Sequence, residues 1–218
     1  MGWQPPAQSG RAQASRPVDS AMTGKLDLKL HSTVEDADPA TDESRRFETL
    51  RRAVAAILTV VDEPQRPGLL ETPERVARML LELTEPDDFE MTWFPNAGYD
   101  QMIVEDSIPF FSTCEHHMVP FFGHAKVAYV PRERIVGLSK LARTVDHFAR
   151  GLQTQERITN SIADFLRDEL EPQGVGVRLS AEHLCMSMRG VKKPGTRTIT
   201  TALRGVFKEG PTRDEFLR

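Results

Sequence analysis

The hydrophobic residues between positions 41 and 90 recur every three or four residues, a spacing typical of amphipathic helices. The first run of this kind starts near Thr41 and stops before the loop DEPQRPG. A second run is predicted to begin at Thr72, a favourable N-cap residue, with Pro73 as the first helical position. The predicted buried positions are Phe47, Leu50, Val54, Ile57, Leu58 and Val61, then Val76, Met79, Leu80 and Leu83. We therefore expect a helical N-terminal region over residues 41–90.

Residues 1–40 carry no such period. They are rich in Pro, Gly, Ser, Ala and Gln, and Trp3 is their single aromatic residue. A segment of this composition buries too little apolar surface to offset the entropy lost on ordering. We expect a disordered tail.

Beyond Pro86 the pattern changes to short runs of β-branched and aromatic residues, which favour strands. These runs are MIVED, IPFF, HAKVAYVP and RIVGL, followed later by GVGVRLSAEHLCMSM and TRTITTAL. Between the two sets lie two further helices, the first predicted to be capped by Ser139. Their predicted buried positions are Leu141, Val145, Phe148 and Leu152, then Ile158, Ile162, Phe165, Leu166 and Leu170. This order predicts an α+β fold over residues 91–218, with an antiparallel sheet and helices on one of its faces.

Composition and charge narrow the class of protein. The chain has 218 residues, of which 39% are hydrophobic and 28% charged, as in soluble globular proteins. Its formal net charge of −4 gives no electrostatic reason to expect nucleic acid as a partner. No apolar run is long enough to cross a membrane, and the start lacks the apolar segment of a secretory signal. Because two cysteines are too few for a disulfide scaffold, we expect a cytosolic protein.

The stretch FSTCEHHMVPFFGH holds one of the two cysteines and three of the six histidines. Cys114 and His117 are separated by two residues, and a tight turn can direct both side chains to one point. The other cysteine, Cys185, follows His183 by two residues in a predicted strand, which would place both side chains on one face. The set Cys114, His117 and Cys185 would give zinc three ligands and leave its fourth position open, as in catalytic sites.

Two core cysteines without a metal are the alternative, because free cysteine commonly packs as a small hydrophobic residue. The titratable neighbours favour the metal site, since such groups are costly in a purely apolar core. Those neighbours are Glu115, His116, Glu182 and His183. Related divalent ions also accept nitrogen and sulfur ligands, so the metal stays open, and no role is predicted for His124.

Four separated segments resemble, in order and spacing, the signature segments of GTP cyclohydrolase I. They are CEHHMVPFFG, GLSKLAR, LQTQERIT and EHLCMSMRGVKKPGTRTIT. The resemblance runs from about Leu70 to Phe207, and more loosely from the first helix to the C-terminus. It implies an enzyme of pterin and tetrahydrofolate synthesis that uses Zn²⁺ to open the imidazole ring of GTP at C8. Formate is released, and rearrangement gives 7,8-dihydroneopterin triphosphate.

The resemblance also implies roles for the matching residues. Cys114, His117 and Cys185 match the zinc ligands. His116 matches the residue that protonates the ring nitrogen next to C8, His183 a second acid–base residue, and Ser139 a serine at the ribose.

The matching substrate-binding residues fall into two groups. Gln155 and Glu156 match the residues that recognise the purine. The triphosphate group consists of Lys140, Arg143 and Arg189, with Arg75 and Arg78 supplied in the family by a neighbouring subunit.

The fold that the resemblance implies is the tunnelling fold, an antiparallel four-stranded sheet with two helices on one face, preceded by a helical N-terminal region. Units of this kind assemble in the family into a homo-oligomer, normally a decamer of two stacked pentameric rings. Its active sites lie between subunits.

Two other functions compete with this one. Another tunnelling-fold enzyme, acting on a pterin or deazapurine, would use either a nucleophilic cysteine with a nicotinamide cofactor or a three-histidine zinc site. A non-catalytic purine-binding protein would hold zinc structurally. Both cysteines and the intact SKLAR and QER segments argue against the first, and the open ligand position argues against the second.

Overall fold

Two helices open the part of the chain that a computed structural model describes, residues 39–86 and 88–218. Helix α1 spans Pro39–Val61 and α2 spans Thr72–Thr84, with a 3-10 turn at Pro67–Leu69 between them. The helical N-terminal region is therefore confirmed, although α1 begins two residues before Thr41. The predicted tail lies outside the described residues apart from its last two positions.

The two helices bury fewer residues than their stripes predict. Val54 and Leu58 are buried, but Ile57 and Val61 are exposed on α1, and Met79 is exposed on α2. The apolar face of this helix pair is therefore only partly covered within one chain.

The strands of the described residues are β1 Trp93–Pro95, β2 Ile103–Cys114, β3 Pro120–Val130, β4 Arg134–Val136, β5 Leu152–Gln153, β6 Gly174–His183 and β7 Arg197–Gly205. Four long antiparallel strands form the centre of the protein, in the order β2-β3-β6-β7. The short β5 pairs in parallel with the end of β2 as a fifth strand, and β1 and β4 form a separate two-stranded sheet. The predicted four-stranded antiparallel sheet is confirmed.

The runs MIVED and IPFF belong to one strand, β2. A β-bulge interrupts its pairing with β3 between Glu105 and Ile108. Ser107 lies in the bulge with a φ of 59°, in the left-handed region. The bulge explains why the two runs look separate in the sequence.

Helices α3 (Leu138–Ala149) and α4 (Gln155–Leu170) pack on one face of the sheet, as predicted. The core between these helices and the sheet is made of buried aliphatic residues. Burial of each such side chain stabilises the fold by about 1.5–3 kcal/mol relative to an exposed position. These residues include Val127, Val177 and Leu179 from the strands and Leu141, Val145, Ile158, Ile162, Leu166 and Leu170 from the helices. Leu152 is the exception, because it lies in β5 and is exposed.

The predicted caps are displaced by one or two residues. Glu71 is the N-cap of α2 and Gly137 that of α3, so Thr72 and Ser139 lie inside the first turns. Among the helices whose N-cap residues the structure describes, only α4 has a side-chain cap, because Thr154 Oγ1 accepts a hydrogen bond from Arg157 N–H at 3.2 Å.

Two short helices complete the chain, α5 (Leu184–Ser187) and α6 (Gly210–Leu217). Phe216 of α6 packs edge-to-face on Phe207, in a buried cluster that also contains Ala128 and Val130. These two β3 residues alternate with Val127, which faces α3 and α4, so α6 covers the opposite face of the sheet. None of the helices in the described ranges is long and apolar enough to cross a membrane.

Candidate active site

β2 ends at Cys114, where the chain reverses through a tight turn into β3. The Cys114 N–H donates to Val119 O at 2.9 Å, and Cys114 O accepts from the Met118 N–H at 2.8 Å. Met118 has a φ of 52°, the left-handed conformation that closes the turn. The turn brings His117 Nδ1 to 3.8 Å from Cys114 Sγ.

Cys185 approaches the same point from α5. This one-turn helix follows β6 directly, so the prediction that Cys185 lies in a strand is wrong. Cys185 and His183 consequently do not share a strand face, and His183 is the last strand residue.

Glu182 stabilises the conformation after β6. Its carboxylate accepts hydrogen bonds from Gly195 N–H at 3.0 Å and Ser187 Oγ at 2.7 Å. These two hydrogen bonds hold the pKa of Glu182 below its usual range, and the one from Gly195 has the larger effect. The ionised carboxylate thereby fixes both α5 and the loop that carries Arg189.

The ligand atoms of Cys114, His117 and Cys185 all lie within 4.8 Å of one another. Tetrahedral zinc, about 2.3 Å from sulfur and about 2.0 Å from nitrogen, keeps its ligand atoms roughly 3.5–3.8 Å apart. The three groups therefore fit zinc in donor type, and the 3.8 Å between Cys114 Sγ and His117 Nδ1 also fits it in spacing. Burial is the main cause that raises the pKa of the Cys185 thiol, and the neighbouring Cys114 raises it further. A bound cation would have the opposite effect, because it favours the thiolate.

His116 lies next to this group but on its solvent side. Its side chain is 67% exposed, and its Nε2 lies 3.7 Å from Glu115 Oε1. Its Nδ1 is 3.9 Å from Cys114 Sγ, yet the ring is not part of the convergent group. His116 is therefore accessible to a bound substrate.

Arg157 connects the turn to α4, a contact that the sequence did not suggest. Its guanidinium donates to Glu115 Oε2 at 2.7 Å, to Gln153 Oε1 at 2.8 Å and to the Leu152 carbonyl oxygen. Glu115 and Arg157 are 42 residues apart, so only the fold brings them together.

His183 is half-buried and packed flat on Phe121. The ring centroids are 4.5 Å apart and the planes differ by 5°. His183 Nε2 lies 2.8 Å from Gln155 Oε1. Burial lowers the pKa of His183, and the nearby Glu156 carboxylate acts in the opposite direction.

Gln155 and Glu156, neighbours in sequence, have opposite environments. Gln155 is only 1% exposed, and its amide is bonded to protein groups on β6, β7 and His183. Glu156 is exposed, and its carboxylate makes no hydrogen bond or ion pair within the described part of the chain. Of the two residues predicted to bind the purine, only Glu156 has its polar group free for a ligand.

Ser139 and the predicted triphosphate residues on α3 lie in its first two turns. Arg189 follows α5, where its positive charge acts on Cys185. No ion pair involving Lys140, Arg143 or Arg189 is found among residues 39–86 and 88–218. These cations are therefore available to an anion.

Arg75 and Arg78 lie on α2, where each pairs with a glutamate one turn earlier. Arg75 bonds Glu71, and Arg78 bonds Glu74 at 2.8 Å. Arg78 also stacks over Phe47, 5.0 Å from the ring centroid. Within one chain, no hydrogen bond or ion pair joins these arginines to the cysteine–histidine group in the described ranges.

Comparison with known proteins agrees with the site. The family model described as GTP cyclohydrolase I matches residues 50–218. GTP cyclohydrolase 1 of Aquifex aeolicus is 55% identical, with 78% of this chain and 95% of the relative covered. GTP cyclohydrolase 1 of Geobacillus kaustophilus is 52% identical, with coverages of 74% and 89%.

A solved structure, the archaeosine synthase QueF-Like in the apo form, is a more distant neighbour. Its TM-score is 0.39 at 15% identity, and 48% of this chain and 93% of that chain are covered. The assignment rests instead on the family match and on relatives that align over most of both chains. The chain belongs to the GTP cyclohydrolase I family.

Proposed function

We propose that the chain is a zinc-dependent GTP cyclohydrolase I, which opens the imidazole ring of GTP at C8, releases formate and yields 7,8-dihydroneopterin triphosphate. The observation that carries this proposal is the convergence of Cys114, His117 and Cys185 within 4.8 Å. Three protein donors leave one position of a tetrahedral zinc open, which suits catalysis better than structure.

The two histidines beside the metal group supply the proton transfers. Zinc bound there would activate a water molecule as a nucleophile near neutral pH. His116, exposed beside Cys114, donates a proton to the purine ring nitrogen as C8 is attacked. His183 exchanges protons during hydrolysis and later steps, and Ser139 acts at the ribose during rearrangement.

Glu156 recognises the purine. A carboxylate can accept two hydrogen bonds from the ring N–H and the exocyclic amine of guanine, a pair of donors that adenine lacks. Its lack of protein partners among the described residues supports this role. Gln155, the second purine residue predicted from the sequence, has its amide already bonded to the protein.

The triphosphate is held by cations around the N-terminus of α3. Lys140 and Arg143 lie in its first two turns, where backbone N–H groups also favour anions. Arg189 adds a third charge from the loop after α5.

Arg75 and Arg78 would complete this site from a neighbouring subunit of a homodecamer. Within one chain, their hydrogen bonds in the described ranges go to glutamates at the start of α2 and none goes to the metal group, which supports that arrangement. We also propose residues 41–90 as a helical region distinct from the catalytic region 91–218. Light scattering tests the assembly, and a monomer with full activity would contradict it.

Formate release and pterin fluorescence with GTP test the function directly. We expect turnover with GTP and none with ATP, loss on chelation, and recovery on adding zinc. Zinc content is measured on the same sample. A zinc-replete protein that binds GTP without turnover would favour the non-catalytic alternative.

A further inference from the structure

The contacts of the Gln155 side chain fix the orientation of its amide. The amide nitrogen lies 3.0 Å from the carbonyl oxygen of Thr198 and 3.3 Å from that of Leu179. Carbonyl oxygens only accept hydrogen bonds, so the amide atom that faces them must be the NH₂ group. The amide oxygen is thereby directed towards His183.

A ring of hydrogen bonds supports this orientation. Gln155 Nε2 lies 3.0 Å from Thr200 Oγ1, which lies 2.6 Å from Thr159 Oγ1. Thr159 Oγ1 lies 2.7 Å from the backbone oxygen of Gln155, which can only accept. Thr159 therefore donates to Gln155 O, and Thr200 donates to Thr159 while accepting from the amide. Only one direction of donation satisfies every member, and a fully satisfied buried network is rigid.

This orientation determines which nitrogen of His183 carries a proton. Gln155 Oε1 lies 2.8 Å from His183 Nε2, and an amide oxygen accepts but cannot donate. Nε2 must therefore be the N–H. Phe121, stacked at 4.5 Å, fixes the plane of the ring. Nδ1 has no hydrogen-bond partner among the residues that the structure describes.

We propose that Gln155 is a positioning residue for His183 rather than a purine contact. It keeps the proton on Nε2 and leaves Nδ1 unprotonated, with a lone pair that can accept a proton during the reaction. This inference rests on the proposed function, and it assigns guanine recognition to Glu156 without Gln155.

Nitrogen-15 solid-state NMR of the unmodified, histidine-labelled full chain tests the proton position without any turnover. At alkaline pH, where the ring is neutral, we expect His183 to give the signals of the Nε2–H tautomer. The spectrum of the His183→Gln variant identifies those signals. An Nδ1–H tautomer would overturn the inference.

Gln155→Leu separates positioning from substrate binding. We expect kcat to fall roughly 10- to 100-fold, by analogy with the loss of a partner that orients a metal-ligating histidine. The KM for GTP and the zinc content should stay nearly unchanged. A raised KM with an unchanged kcat would instead make Gln155 a purine contact and overturn the inference.

Thr200→Val is a milder variant, because it keeps the shape of the side chain and removes only the hydroxyl of the ring. We expect a smaller loss of kcat with the same KM.

Gln173→Leu is the matched control, since this half-buried glutamine donates to Pro131 O at 3.1 Å near the opposite end of β6. It should leave both kinetic constants unchanged. A zinc-replete unmodified chain without GTP turnover would refute the proposed function and leave the tautomer result standing.

Discussion

The cysteine–histidine group and the Gln155–His183 network lie at the same end of the sheet but differ in how complete they are. In the first, three donor atoms converge within 4.8 Å and need a cation to balance two thiolates. In the second, every polar group except His183 Nδ1 has a protein partner among the described residues, and the direction of every hydrogen bond is determined. The Gln155–His183 network is thus ordered by the protein alone, whereas the cysteine–histidine group is complete only with a bound cation.

Cys185→Ala disrupts only the cysteine–histidine group and should have the largest effect on activity. Removing one of three protein ligands should empty the site and lower turnover on the order of 10³-fold or more, because the metal is the source of the nucleophile. Elemental analysis and formate release measure both quantities. Met186→Ala, on the same one-turn helix, is the control and should retain zinc. Full zinc content in Cys185→Ala would show that Cys185 is not a ligand.

Glu156→Gln changes the substrate-facing residue next to the completed network. Hydrogen bonds to a charged group contribute about 1.5–3 kcal/mol, so kcat/KM for GTP should fall about 10- to 100-fold. The loss should lie mainly in KM, with zinc unchanged. Glu169→Gln, an exposed change on the same helix, is the control. An unchanged KM in Glu156→Gln would remove Glu156 from guanine recognition.

Arg157→Gln weakens the connection between α4, which carries Gln155, and the turn that carries Cys114 and His117. The Arg157–Glu115 pair is partly exposed, and such pairs are worth about 0–1 kcal/mol, so kcat/KM should fall no more than about 5-fold. Because salt screens this pair, the difference from the unmodified chain should shrink at high ionic strength. Arg167→Gln, farther along α4, should show no such change in activity. A loss of zinc in Arg157→Gln would mean that the pair holds the ligand turn itself.

Asp164→Asn changes the solvent-facing contact between α4 and β7 and should have the smallest effect. Hydrogen bonding to Arg204, together with the charges of Arg204 and Arg167, lowers the pKa of Asp164. The ionised group therefore stabilises the fold above its ordinary pKa, and this contribution is lost as the pH falls through the lowered value. Urea unfolding should show a lower midpoint for the variant at neutral pH and no difference in strong acid. A difference that persists in strong acid would point to packing instead of charge.

Much of the scaffold could be predicted locally, because α4 buries a regular stripe and the four long strands are rich in β-branched and aromatic residues. The caps at Thr72 and Ser139 could not, since the residue that leaves the helical conformation is selected by the preceding loop. Cys185 was placed in a strand because α5 has only one turn, too short to show a helical period. Its position depends on the hydrogen bonds of Glu182, which join residues up to 13 positions apart.

The site residues also divide into those that a local pattern could predict and those that depend on long-range contacts. The spacing of Cys114 and His117 suggested a shared point because a local turn can produce it. The resemblance matched Gln155 to purine recognition but did not indicate that its amide is buried, since that burial depends on Thr200, 45 positions later. Long-range pairing of this kind leaves no local pattern in the sequence.

The two sulfur atoms of the site belong to segments that flank β3 on either side, at positions 114 and 185. A metal bound between them would act as a cross-link that closes a loop of 71 residues. For a covalent link of that span, chain entropy removed from the unfolded state contributes roughly 4 kcal/mol. The ion would therefore hold together the ends of two strands that do not pair with each other, and its loss would destabilise the central sheet as well as remove the activity.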